Sequence, residues 1–452
     1  MIEIFQHPHL QTSDPMQRRQ FLARTGLALG MAAVAANVPF ARSFARTAWP
    51  QNIDTWNEVR EQFNLAPDLI HMSTFFLASH PRPVREAIER HRQGLDANPF
   101  EYWWENEVPR EKEVLEAASK YLGVSPTDIA LTDSTTMGLG LLYGSLTLRP
   151  GQEILTTTHD HYSTDRSLQL RAQRTGATVK RISLYRNPAT TSTEEIVDAM
   201  VKAVRPKTRV VAVTWVHSCT GVKLPIRQMA DALAKINRKR KEQDRVLLCV
   251  DGVHGLGVEN VTMSDLECDF FVAGTHKWLF GPRGTGLVWG KTDAWPAANA
   301  IIPAFDSATY EIWMKLRPPE NIPFGATMTP GGFHSFEHRW ALSEAFRFHE
   351  GLGKHRIAER IHSLNRQLKE GLAGMKHVTL HTPMSEDLSA GIVCFEIAGL
   401  APDKVVERLR ERKIVASVTP YATLYARLAP SLLTSPEDVE TTIREVHSLN
   451  KA

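Results

Sequence analysis

Four short apolar runs, at residues 154–155, 210–215, 246–250 and 270–273, are spaced along the chain with helical patterns between them. Runs of this kind, rich in Val, Ile, Leu and Phe and lacking polar alternation, are strands buried on both faces. Strands of that type separated by helices make βα units, so an α/β fold with a mostly parallel sheet is predicted. The segment at residues 110–122 fits this frame: its apolar positions recur at helical spacing and Gly123 ends it. From about Phe336 the pattern changes. A long charged helical stretch runs to about Ala373, strands are predicted at residues 391–397, 414–418 and 425–428, and a closing helix begins near Pro436. This predicts a large α/β domain over residues 46–335 and a smaller α+β domain over residues 336–452.

Composition excludes several functions. With 53 Lys and Arg against 50 Asp and Glu in 452 residues, the net charge is only +3, too little for a nucleic-acid-binding face. The four cysteines, Cys219, Cys249, Cys268 and Cys394, include no pair at CxxC spacing, so neither a disulfide framework nor a structural zinc site is expected. Thr158-His159-Asp160-His161 is too sparse a cluster for a metal site, and no metal is expected there. The hydrolase, zinc-protease and NTPase signatures are missing, and Gly138-Leu139-Gly140 is too short for a dinucleotide fingerprint.

At the N-terminus, Arg18-Arg19 precedes Phe21-Leu22, an uncharged stretch covers residues 25–41, and Arg42 leads into Ser43-Phe44-Ala45. This resembles a twin-arginine (Tat) export signal, with a basic region, a moderately apolar region and a small-x-small cleavage site. The resemblance implies use of the Tat export machinery, cleavage near Ala45 and a periplasmic mature protein. The uncharged stretch holds 17 residues, is rich in Ala and Gly, and contains Asn37 and Pro39. A stable membrane anchor needs ~20 predominantly apolar residues, so none is expected.

In an open α/β sheet, ligands bind beyond the carboxyl ends of the strands. The run at residues 246–250 delivers Asp251-Gly252-Val253-His254 to that rim, and the next run delivers Gly274-Thr275-His276-Lys277-Trp278. A lysine and a carboxylate meeting there are what pyridoxal 5'-phosphate (PLP) requires. The lysine bonds the aldehyde, and the carboxylate pairs with the pyridinium nitrogen so that the ring withdraws electrons. Ser134-Thr135-Thr136, between an apolar run and a helix, offers hydroxyls and free N–H groups to a phosphate. His159 follows a strand and is placed to stack on a flat ring, with His161 as the competing candidate. Trp103-Trp104 reads as core or interface, with the pocket mouth as the alternative.

The segment Asp251-Gly252-Val253-His254, followed by Thr275-His276-Lys277-Trp278-Leu279-Phe280-Gly281-Pro282-Arg283-Gly284-Thr285-Gly286, resembles the cofactor-lysine region of class V (fold type I) aminotransferases, above all the isopenicillin N epimerase-like branch. Asn98-Pro99, Thr157-Thr158-His159, Thr220-Gly221 and Arg427-Leu428-Ala429-Pro430 recur in the same order, so the likeness spans nearly the whole mature chain. The resemblance implies that Lys277 carries the cofactor and moves protons, and that Asp251 pairs with the ring nitrogen. It further implies that His159 stacks on the ring, that His254 lies near the phenolic oxygen, and that Thr135, Thr136 and His276 hold the phosphate, with Gly331-Gly332 supplied by a partner subunit. A homodimer follows from the same likeness.

The chain departs from the family in two places. Between Lys413 and Arg427 it has neither the reactive cysteine nor the substrate-binding arginine of desulfurases, and Ser218 stands where many relatives have Asn near the ring oxygen. These departures favour an unusual amine substrate, a small molecule or a secreted peptide. Periplasmic members of the branch tailor a glutamyl side chain of the siderophore pyoverdine, which is the specific expectation. Epimerase or lyase chemistry is the alternative, and a non-catalytic binding protein that keeps the fold is the second.

Overall fold

The computed structural model describes residues 53–318 and 322–449; the export-signal reading falls outside them. The large sheet has seven strands: β1 (Ile129–Thr132), β2 (Glu153–Thr157), β3 (Thr178–Ile182), β4 (Thr208–Thr214), β5 (Leu247–Asp251), β6 (Phe270–Gly274) and β7 (Gly286–Gly290). Their spatial order is β1-β7-β6-β5-β4-β2-β3. β6, β5, β4, β2 and β3 pair in parallel, and β7 runs antiparallel to both neighbours. Every residue of β2, β4, β5 and β6 is buried, which is why these strands read as continuous apolar runs. β3 carries Lys180 and Arg181 on a half-exposed edge, and β7 begins and ends in glycine. Neither has the continuous apolar signal, and neither is visible from pattern alone.

Helices cover the sheet. α1 (Arg82–Ala97) is followed at once by α2 (Pro99–Leu122), which is longer than the predicted segment at residues 110–122. The Asn98 side chain accepts from the Glu101 N–H and Pro99 occupies the first turn, where its missing donor costs nothing. The helix then runs through Pro109 and stops at Gly123, whose φ of +70° few other residues adopt cheaply. α3 (Thr135–Ser145) and α4 (Tyr162–Thr175) start on the carboxyl rim of the sheet, after β1 and β2. The stretch from Phe336 is two helices, α5 (Phe336–Leu352) and α6 (Lys354–Ala373), separated at Gly353 with φ +85°. α5 packs on α1 and α2.

A second, four-stranded sheet is antiparallel, with strands β8 (Val378–Leu380), β9 (Val393–Ile397), β10 (Ser417–Val418) and β11 (Ala426–Leu428) in the order β10-β11-β9-β8. The predicted strand at residues 414–418 is split: Ile414–Val415 instead pairs in parallel with Ile70–His71. The closing helix, α7 (Pro436–Ser448), begins with a capping box between Ser435 and Asp438.

Candidate active site

Asp251 is the last residue of β5, and Lys277 lies three residues beyond β6. Both reach one cavity of about 160 Å³, walled also by Ser134, Thr135, Thr136, Ser218, His254 and His276. Of the residues expected to serve a cofactor, all but His159 meet there.

Burial sets the electrostatics. Asp251 is 2% exposed and accepts only from the Val253 N–H, at 3.2 Å. Desolvation raises its pKa to about 6, against the pull of Val253 and Lys277. Desolvation likewise brings Lys277 down to about 8, opposed by Asp251 and reinforced by the Arg427 charge. Lys277 Nζ lies 3.5 Å from His254 Nε2, and the Trp278 indole N–H donates to His254 Nδ1 at 3.4 Å. With Nδ1 accepting, neutral His254 carries its proton on Nε2, facing the lysine. Desolvation and the neighbouring cations hold His254 neutral, so it can donate to Lys277 only when the amine is also neutral. Two independent effects therefore favour an unprotonated Lys277.

The start of α3 forms the opposite wall. Ser134 caps the helix by accepting from the Met137 N–H, and Thr135 Oγ1 accepts from the Gly274 N–H at 2.8 Å. These bonds fix the turn and leave both hydroxyl protons available. A Cβ on Gly274 would stand 2.8 Å from Thr135 Oγ1 and 2.9 Å from the His276 ring, so only glycine lets β6 come this close to α3. His276 Nδ1 is buried without a hydrogen-bond partner among the described residues. A helix N-terminus, hydroxyl donors and an orphaned imidazole nitrogen suit a phosphate.

The His159 expectation is corrected. Asp160, 8% exposed, accepts from Thr156 Oγ1, the Thr157 N–H and Oγ1, and the Thr214 N–H. This tight turn sends the residues on either side of Asp160 in different directions. His159 stacks on Tyr185, with ring centroids 4.0 Å apart, and does not line the cavity. His161 does line it. As N-cap of α4 it accepts the Ser163 N–H on Nδ1, which leaves Nε2 as the protonated nitrogen. Trp103 and Trp104 are also absent from the cavity wall; Trp103 packs on Phe333 and Phe336. Gly331 and Gly332 lie in a separate groove with Glu111 and His334.

Three further residues of the cavity wall are not among those the sequence assigns to the cofactor. Arg427, on β11, is 4% exposed, and its guanidinium lies 4.8 Å over the Phe75 ring. Its Nε donates to Ser417 Oγ, one terminal nitrogen to the Ser218 carbonyl at 3.0 Å and the other to the Val418 carbonyl at 2.9 Å. Each terminal nitrogen keeps a second N–H with no protein acceptor among the described residues. Phe75 and Pro420 supply apolar wall.

An aldehyde-bonding amine, a buried carboxylate and a phosphate cradle with an unpartnered imidazole nitrogen form a donor set that fits PLP. The fold and this set define a PLP-dependent transferase of fold type I. The aminotransferase class-V family profile matches residues 111–420, and the chain belongs to that family. It is 27% identical over 402 residues to isopenicillin N epimerase of Streptomyces clavuligerus, covering 85% of this chain and 96% of that one. It is 26% identical over 270 residues to a probable cysteine desulfurase of Vibrio cholerae serotype O1, covering 57% and 60%. Among solved structures, a Lys-to-Ala mutant of C-DES with glycine covalently linked to its PLP cofactor superposes with a TM-score of 0.75 at 21% identity, over 86% of this chain and 98% of that one. The cystine C–S lyase C-DES with its product cysteine persulfide gives 0.73 at 20% identity, over 84% and 98%.

Proposed function

We propose that this protein is an exported PLP-dependent enzyme acting on an amino group of a carboxylate-bearing small molecule or secreted peptide. One observation carries the reading: Lys277, Asp251 and Arg427 share a single cavity. PLP, when bound, supplies the electron-poor ring that stabilises negative charge at the substrate α-carbon. Asp251 would hold the ring nitrogen through its buried carboxylate, and the Lys277 amine would bond the aldehyde and serve as the acid and base for a proton at the substrate α-carbon. The two free N–H groups of Arg427 are the fork for a substrate carboxylate, the role the segment between Lys413 and Arg427 leaves unfilled. No cysteine lines the cavity among the described residues, and all four are buried, which argues against desulfuration through a protein persulfide.

The Tat-like segment supports action in the periplasm, and tailoring of a glutamyl side chain of pyoverdine is the specific reaction this reading favours. Epimerisation is the second reading, favoured by the likeness to isopenicillin N epimerase. The deciding experiment is the visible spectrum of the purified protein before and after L-glutamate. A band that shifts towards the pyridoxamine form identifies an aminotransferase half-reaction. A band that glutamate leaves unchanged points to a peptide or siderophore substrate. No band after reconstitution with PLP overturns the reading. Lys277→Ala should abolish the covalent linkage; full biological effect without it would make the protein a non-catalytic binder.

A further inference from the structure

The hairpin between β10 and β11 is built from its own bonds. The Thr419 N–H donates to the Tyr425 carbonyl at 2.9 Å, and Thr419 Oγ1 receives the Tyr425 N–H at 2.8 Å and donates to the Thr423 carbonyl. This closure puts Pro420 on the cavity wall and brings Tyr421 against Ser218, which lines the cavity. The Tyr421 hydroxyl lies 2.7 Å from Ser218 Oγ, joining residues 203 apart in sequence, and its ring meets His161 edge-on at 6.2 Å.

One proton lies between the two oxygens, and its direction follows from counting. The Tyr421 hydroxyl has no hydrogen-bond partner other than Ser218 among the described residues. If Ser218 donated, the phenolic proton of the half-buried Tyr421 would have no protein acceptor among the described residues, an outcome that polar groups shielded from water disfavour. If Tyr421 donates, both protons are used: the phenol's on Ser218, and Ser218's on whatever acceptor occupies the cavity.

We propose that Tyr421 is a positioning residue that donates to Ser218 Oγ and thereby aims the Ser218 proton at the cofactor's phenolic oxygen, while the same bond pins the hairpin over the site. The phenolic oxygen is the acceptor meant because the phosphate belongs at the start of α3 and the ring nitrogen at Asp251. The proposal rests on the PLP reading above.

The test is a pH titration of the visible band of the holoenzyme, in the wild type and in Tyr421→Phe, Ser218→Ala and the double variant. A donor to the phenolic oxygen favours its ionised form, so losing the donor raises the midpoint. Tyr421→Phe and Ser218→Ala should each raise it by roughly half a pH unit, the scale of one neutral hydrogen bond. The double variant should shift no further than Ser218→Ala alone, because the two act as a chain. Tyr421→Phe keeps the ring against His161, so folding is preserved, and its melting temperature reports any purely structural role. A lower melting temperature with an unmoved midpoint would overturn the proposal, as would additive shifts in the double variant. A wild-type band with these failures overturns the proposal alone; no wild-type band overturns the cofactor reading with it.

Discussion

Burial and one charged neighbour oppose the protonation of Lys277, and one charged neighbour supports it. Burial and Arg427 lower its affinity for a proton, and Asp251 raises it, with burial dominant. The neutral amine is the form that bonds an aldehyde. In apoprotein the rate of PLP incorporation should therefore rise with pH around a midpoint near 8, well below that of free lysine. Stopped-flow mixing of apoprotein with PLP across pH 6–10 reads this directly. Trp278→Phe should move that midpoint upward, because without the indole N–H the His254 tautomer is no longer fixed and Lys277 loses a donor. An unchanged midpoint would separate His254 from the lysine. Arg427→Lys keeps a charge but loses the fork. For a carboxylate-bearing substrate it should raise KM roughly 100-fold, the worth of a bidentate charged pair, with the spectrum of the bound cofactor intact.

At the scale of elements, the site is a set of turns at strand ends, and this decides what was legible in the sequence. Asp251 and Lys277 stood out because β5 and β6 are buried apolar runs, the first ending in Asp251 and the second followed at once by the polar run Thr275-His276-Lys277. The His159 reading failed because both histidines follow the same strand, and what separates them is the buried carboxylate of Asp160, bonded partly to Thr214 on β4. A bond to a residue 54 positions away leaves no local pattern. Tyr421 was illegible for the same reason, and Arg427, although part of a recurring motif, could not be placed in the site: β11 and its hairpin reach the rim only through tertiary packing. Two element-scale outcomes follow. Asp160→Ala strips four hydrogen bonds from a buried turn and should destabilise the protein by about 3 kcal/mol in urea unfolding. Gly274→Ala forces β6 and α3 apart where the cradle needs them close. It should weaken PLP binding roughly tenfold, or ~1.4 kcal/mol, with little loss of melting temperature.

At the scale of the molecule, several large apolar side chains remain exposed outside the active-site cavity. Phe333 is 82% exposed and Trp313 76%, with Phe100, Trp104, Val108 and Phe305 each half exposed or more. Several of them border the groove that holds Gly331, Gly332, His334 and Glu111. Glu111 is half-buried there between His334 and Arg339, which hold its carboxyl below the usual range against desolvation. Apolar surface rimmed by such charges is the composition of a protein interface. A second copy of this chain is the partner the family likeness implies, with each copy lending its Gly331-Gly332 turn to the other's phosphate cradle. That arrangement makes a joint prediction about assembly and cofactor. Phe333→Glu, at a side chain 82% exposed whose ring contacts among the described residues are Trp103 and Phe336, should convert the proposed dimer to a monomer in sedimentation velocity. The same monomer should lose PLP on dialysis while retaining the wild-type far-ultraviolet spectrum, because the cradle would be missing one wall and the fold would not. A monomer that kept its cofactor would leave the interface in place but deny it any share in the site.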